Sequence, residues 1–63
     1  MSFDVVRRLR EEKGLSQEQL AERVGVSQSM ITYIERGLKQ PSVAVLKRIA
    51  SEFECTVDEL LGA

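Results

Sequence analysis

Residues Leu15–Gly37, LSQEQLAERVGVSQSMITYIERG, decide how this chain reads. Ser16 is a natural N-cap, because its hydroxyl can accept from an otherwise unpaired amide of a helix's first turn. Gln19, three residues on, completes a capping box, so the spacing predicts a helix from about Gln17. Leu20, Ala21 and Val24 give that helix one apolar side. Gly25 permits the left-handed backbone that ends a helix, Val26 turns inward, and Ser27 caps a second helix. The second helix buries Ile31 and Ile34 and stops at Gly37. Its other side carries Gln28, Ser29, Thr32, Tyr33 and Arg36, with Gln28, Thr32 and Arg36 in one row at i, i+4 and i+8. A polar stripe of this kind has no work inside a core.

The flanking sequence supplies a scaffold. Ser2 is expected to cap a first helix running to about Lys13, with Gly14 as its stop. Phe3, Val6 and Leu9 lie on one side of it, and Asp4 is placed to pair with Arg7 or Arg8 near the positive end of the helix dipole. After Gly37 comes LKQP, whose proline biases Gln40 to extended geometry. Ser42 then caps a fourth helix, in which Val43, Leu46, Ile49, Ala50 and Phe53 recur at helical spacing as a core face. Thr56 and Glu59 form a second capping box, opening a short last helix that buries Leu60, with Leu61 a second candidate for burial. The expectation is an all-α, compact five-helix bundle, a single domain over residues 1–63.

Sixty-three residues provide one small core, and a domain of this size buries about 60% of the surface its unfolded chain exposes. No apolar run approaches the roughly 20 residues that span a bilayer, and MSFDVV lacks a signal-peptide pattern. With a single cysteine, Cys55, no internal disulfide can form, and a cytoplasmic location is the simplest expectation. The net charge of −1 is low for a protein that meets nucleic acid, but the charge is segregated. Arg36–Arg48 holds four basic residues (Arg36, Lys39, Lys47, Arg48) and no acid, whereas Ile49 onward holds four acids (Glu52, Glu54, Asp58, Glu59) and no base. A basic zone thus adjoins the polar helix. Two short helices, a tight turn and an outward polar row on the second are the layout of a helix-turn-helix whose second helix enters a DNA major groove.

The pattern LR…GLSQEQLAERVGVSQSMITYIERG…PSVAVLKRIASEFECTVDELL resembles the phage-repressor and Cro type of helix-turn-helix domain, the XRE-like family. The likeness runs from about Val6 to Leu61: Gln17 opening the second helix, the Ala21 and Gly25 pair, Ile31 through Gly37, Pro41 before the fourth helix, and DELL at the end. It implies a lambda-repressor-like bundle in which Arg10 forms an ion pair with Glu35; Arg10 facing a phosphate is the other role the family allows. It also implies that Gln17 reaches a phosphate and braces Gln28. Val5 and Val45 stand where similar domains more often carry polar residues, and Cys55 where a small apolar one is typical, so a buried, inert thiol is expected.

Gln28 is the leading candidate for reading a base, since its amide offers a donor beside an acceptor, matching adenine N6 and N7. Ser29 suits a base or a phosphate, and Thr32 carries both a hydroxyl and a methyl fitted to a thymine methyl. Tyr33 either lies against the sugar-phosphate wall or covers the core's edge. Arg36, Lys39 and Gln40, with backbone amides around Val43 at the start of the fourth helix, are expected on phosphates, as is Gln17 at its own helix N-terminus. Ala21 must be small where the two helices cross, since overpacking a core costs about 1–3 kcal/mol.

The expected function is sequence-specific binding of double-stranded DNA as a transcriptional regulator, a repressor that occupies a twofold-related operator. A homodimer at least on DNA is expected, with Val57 and Leu61 as the candidate dimer surface. A complete Cro-like protein and the DNA-binding part of a longer repressor are both open. The competing reading is a protein-interaction module, antitoxin-like or anti-repressor, on the same fold. Catalysis is not expected: the chain has no histidine, its cysteine has no base partner, and neither a phosphate loop nor metal-ligand spacing occurs. No cofactor, membrane or small-molecule ligand is indicated.

Overall fold

The computed structural model describes residues 4–62. Ser2 and Phe3, expected at the start of the first helix, lie outside the described residues. Five helices follow in order: α1 (Asp4–Glu12), α2 (Gln17–Val24), α3 (Gln28–Glu35), α4 (Val43–Glu52) and α5 (Val57–Leu60). The all-α reading therefore holds, with α1 and α3 ending slightly earlier than the sequence suggests.

Side-chain caps set the helix starts. The Gln19 amide donates to Ser16 Oγ (3.0 Å) and the Ser16 amide donates to Gln19 Oε1 (2.8 Å), closing the expected capping box. Ser27 Oγ accepts from the Met30 amide at 3.1 Å and Ser42 Oγ from the Val45 amide at 3.2 Å. At α5 only half of the anticipated box is made: Thr56 Oγ1 accepts from the Glu59 amide at 3.1 Å.

Helix ends are more varied. Gly25 takes φ 76 and its amide donates to the Ala21 carbonyl, so the chain leaves α2 at a sharp angle. Helix α4 closes differently. Glu54 adopts φ 55, while the amide of Cys55 donates to the Ala50 carbonyl at 2.9 Å and that of Glu54 to the Ser51 carbonyl at 3.2 Å. Those two bonds form a Schellman closure, here with glutamate at the left-handed position that glycine normally fills.

The core is one cluster drawn from every helix and the α1–α2 loop: Val6, Leu15, Leu20, Ala21, Val24, Ile31, Ile34, Leu46, Ile49, Ala50, Phe53 and Leu60. Helix α2 packs against both α3 and α4, α5 packs on α4, and α1 packs on α3. Several expectations are corrected here. Val43 is 66% exposed and takes no part in the core, which α4 enters only from Val45 and Leu46 onward. Leu61 is 36% exposed, whereas Leu60 is buried. Val5 and Val45 are half-buried against the core, which accounts for apolar residues at positions that are often polar in similar domains. Cys55 is also only half-buried; burial and then the charge of Glu59 push its thiol pKa up.

Among the described residues, the ion pairs are Arg10–Glu35 and Arg23–Glu52. The expected pairing of Asp4 with Arg7 or Arg8 is not formed; all three are exposed, where water competes effectively for both charges. Lys13 Nζ donates to the Glu52 carbonyl at 2.9 Å and sits 6.0 Å above the Phe53 ring. Together with the Arg23–Glu52 pair at 2.8 Å, it ties α1 and α2 to the C-terminal end of α4, where the helix dipole favours positive charge. No helix among the described residues is long and apolar enough to cross a membrane.

Candidate nucleic-acid interface

Helices α2 and α3 are joined by Gly25–Ser27, and α3 buries Ile31, Ile34 and Glu35 against the rest of the bundle. The 100° step per residue then puts Ser29, Tyr33 and Arg36 directly outward, with Gln28 and Thr32 beside them on the α2 side. Gln28, Ser29 and Arg36 are exposed, Tyr33 is 39% exposed, and Thr32 is half-buried. Lys39 reaches back from the loop after α3 and places Nζ 5.3 Å from the centroid of the Tyr33 ring, a cation–π contact. Gln40 and Val43 are exposed, and Val43 opens α4. The Lys39–Tyr33 contact thus joins the basic loop to the α3 row.

Beneath the row lies a hydrogen-bonded chain from α1 to α3. Arg10 Nε donates to Glu35 Oε2 at 2.7 Å, and Nη2 donates to Oε1 at 3.2 Å. Arg10 Nη1 donates to the Leu15 carbonyl at 2.8 Å. Hydrogen bonding to Glu35 raises the Arg10 pKa against the opposing effect of burial. All three nitrogens thus point into the domain, which favours the ion-pair role of Arg10 over the phosphate role. Glu35 Oε1 also accepts from Gln17 Nε2 at 3.0 Å. The Thr32 hydroxyl in turn lies 2.9 Å from Gln17 Oε1 and 3.2 Å from the Gln28 carbonyl.

Gln17 therefore braces Thr32 and Glu35, not the Gln28 side chain that the resemblance implies. No sequence signal announces this arrangement, because it depends on where α1, α2 and α3 meet. Arg48, the last residue of the basic zone, places Nη1 3.4 Å from where a Cβ on Gly25 would stand, beside the α2–α3 turn. Val57 and Leu61 sit one helical turn apart at α5, Val57 half-buried and Leu61 exposed, on the element that packs against α4.

The helix-turn-helix family profile matches residues 6–60. The chain belongs to the helix-turn-helix family. It is 45% identical over 57 residues to the transcriptional activator BcrR of Enterococcus faecalis, covering 90% of this chain but 28% of that protein. The crystal structure of SinR, described as the master regulator for biofilm formation, in complex with DNA superposes with a TM-score of 0.87 at 35% identity, covering 97% of this chain and 98% of that one. A SinR/SinI complex superposes with a TM-score of 0.89 at 35% identity, covering 97% of this chain and 60% of the other. This helix-turn-helix chain thus spans about a quarter of BcrR and nearly the whole of the DNA-bound SinR chain.

Proposed function

We propose that this chain is a sequence-specific double-stranded DNA-binding transcriptional regulator that lays the outward side of α3 in the major groove. The observation that carries this reading is the make-up of that side. Gln28, Ser29, Thr32 and Tyr33 offer amide, hydroxyl, methyl and ring on a helix held rigidly by its cap and by Glu35. Gln28 stands in the first turn of α3, where base edges come nearest, and reads a base together with Ser29, Thr32 and Tyr33. Arg36, Lys39, Gln40 and the Val43 amide meet phosphates on one side, and the backbone amide of Gln17 at the start of α2 meets them on the other. Arg10 acts through Glu35 as scaffold. In the SinR relative the same fold is found with DNA.

The chain acts as a single domain and as a cytoplasmic repressor that blocks transcription by occupying an operator, with no catalytic step of its own. Two copies bind a twofold-related site with their recognition helices one DNA turn, about 34–36 Å, apart. Val57 and Leu61 supply the dimer surface. The experiment is in vitro selection of the purified protein against random duplex DNA, repeated with Gln28→Ala. A palindrome with half-sites one turn apart, recovered by the wild type and lost in the variant, supports the reading; no enrichment at low salt from folded protein refutes it.

A second reading, a protein-interaction module on the same fold, draws on the SinR/SinI complex and on the acidic end of this chain. The α3 row is poor material for a protein interface, whose core is normally aromatic and apolar.

A further inference from the structure

The hydrogen-bonded chain beneath α3 fixes the direction of each proton along it. The Glu35 oxygens that face the Arg10 guanidinium accept its hydrogen bonds, and Gln17 turns its Nε2 toward the same carboxylate, donating to Oε1 at 3.0 Å. The amide oxygen of Gln17 consequently faces Thr32, and Oγ1 of Thr32, 2.9 Å away, must donate. The other near neighbour of that hydroxyl, the Gln28 carbonyl at 3.2 Å, is also an acceptor. The one hydroxyl proton of Thr32 is therefore committed inside the domain from two directions. It cannot be given to a base acceptor such as guanine O6 or N7, or thymine O4, without breaking the chain that starts at Arg10.

We infer that Thr32 is a methyl reader: it presents its Cγ2 methyl to the 5-methyl group of one thymine in each half-site, and Gln17 is the positioning residue that enforces this choice. The inference rests on the proposal that α3 enters the major groove; with the hydroxyl proton committed, the methyl is the group it assigns to base reading there. Thymine is the base that carries a methyl in that groove, so an apolar contact at this place discriminates thymine from cytosine without any hydrogen bond. Because Oγ1 is tethered to Gln17 on one helix and to the backbone of its own, the χ1 angle is fixed before DNA arrives, and no rotamer freedom is lost on binding.

The test uses duplexes carrying the selected site, with each thymine of the half-site replaced in turn by deoxyuridine, which removes only the 5-methyl group. One position is expected at which the wild type binds thymine about fourfold more tightly than deoxyuridine, the worth of one buried methyl. Thr32→Val keeps the methyl and retains that ratio. Thr32→Ser keeps the hydroxyl and both of its hydrogen bonds but lowers the ratio to one at that position. Gln17→Ala frees the hydroxyl and also lowers the ratio; it keeps the backbone amide, and any change in a phosphate contact weakens both duplexes equally and cancels. Should Thr32→Val fail to fold, as circular dichroism would show, the serine variant and the modified duplexes still decide the matter. The inference is overturned if Thr32→Ser keeps the full thymine preference at every position. It is equally overturned if Thr32→Val erases a preference for adenine or cytosine, since the hydroxyl would then be reading. A wild type that selects a site but shows no Thr32-dependent thymine effect sinks this inference alone; one that selects no sequence removes the DNA-reading role with it.

Discussion

Arg10 Nε lies 2.7 Å from Glu35 Oε2, joining α1 to the last residue of α3, with the two side chains only 12% and 3% exposed. Burial makes this pair asymmetric in its consequences. Its net worth against an apolar replacement is small, but removing one partner strands the other charge away from water, at about 3–5 kcal/mol. A domain this small has only a few kcal/mol to lose. Arg10→Ala is therefore expected to be largely unfolded at 25 °C in a thermal or urea titration, while the double variant Arg10→Met/Glu35→Leu recovers most of the stability. A double variant no more stable than Arg10→Ala would show that Arg10 acts through something other than Glu35.

Glu54 sits in the left-handed region at φ 55, a conformation that costs a residue with a Cβ roughly 1–2 kcal/mol. Glycine removes that strain but adds freedom to the unfolded chain, which offsets roughly 0.5–1 kcal/mol. Glu54→Gly is expected to raise stability by about 0.5–1 kcal/mol, read as a higher urea midpoint at unchanged slope. A lower midpoint would mean that the glutamate side chain is stabilising the turn.

This turn also marks the limit of what the sequence discloses. Ser16, Ser27, Ser42 and Thr56 each accept from the amide three residues on, and each is readable as a cap because the rule is local. The end of α2 is readable for the same reason, since Gly25 stands where a left-handed residue is needed. Nothing local marks Glu54 as left-handed; it takes that conformation in the closure whose bonds run from the Glu54 and Cys55 amides back to α4. Val43 shows the same limit, because helical spacing gives it a core-facing angle and cannot say that no helix lies above it. At the candidate interface, which residues of α3 face outward follows from periodicity alone. The link from Gln17 to Thr32 and Glu35 does not, since it joins residues 15 and 18 positions apart through rotamers chosen in the folded state.

Gln28 is exposed in the first turn of α3, and its side chain takes no part in the chain beneath the helix, so truncating it leaves the scaffold intact. Gln28→Ala is expected to weaken binding to the selected operator by about 1–3 kcal/mol, with binding to unrelated duplex little changed. Fluorescence anisotropy with both duplexes gives the comparison. Equal losses on the two would refute base reading by Gln28.

Lys39 separates charge from sequence reading. Its ammonium stands 5.3 Å from the Tyr33 ring centroid on the exposed side of the loop, where it has a second attraction holding it near the proposed DNA surface. A lysine on a phosphate releases counterions on binding and carries no sequence information. Lys39→Ala is thus expected to weaken all duplexes alike and to make the slope of log K against log salt shallower by about one unit. Tyr33→Leu removes the ring while keeping an apolar cover over the core's edge, and is expected to reproduce part of the Lys39→Ala loss on every duplex by releasing the ammonium into solvent, beside a further loss on the selected operator alone from the lost base contact. A loss confined to one base position in the lysine variant would instead make Lys39 a reader of sequence.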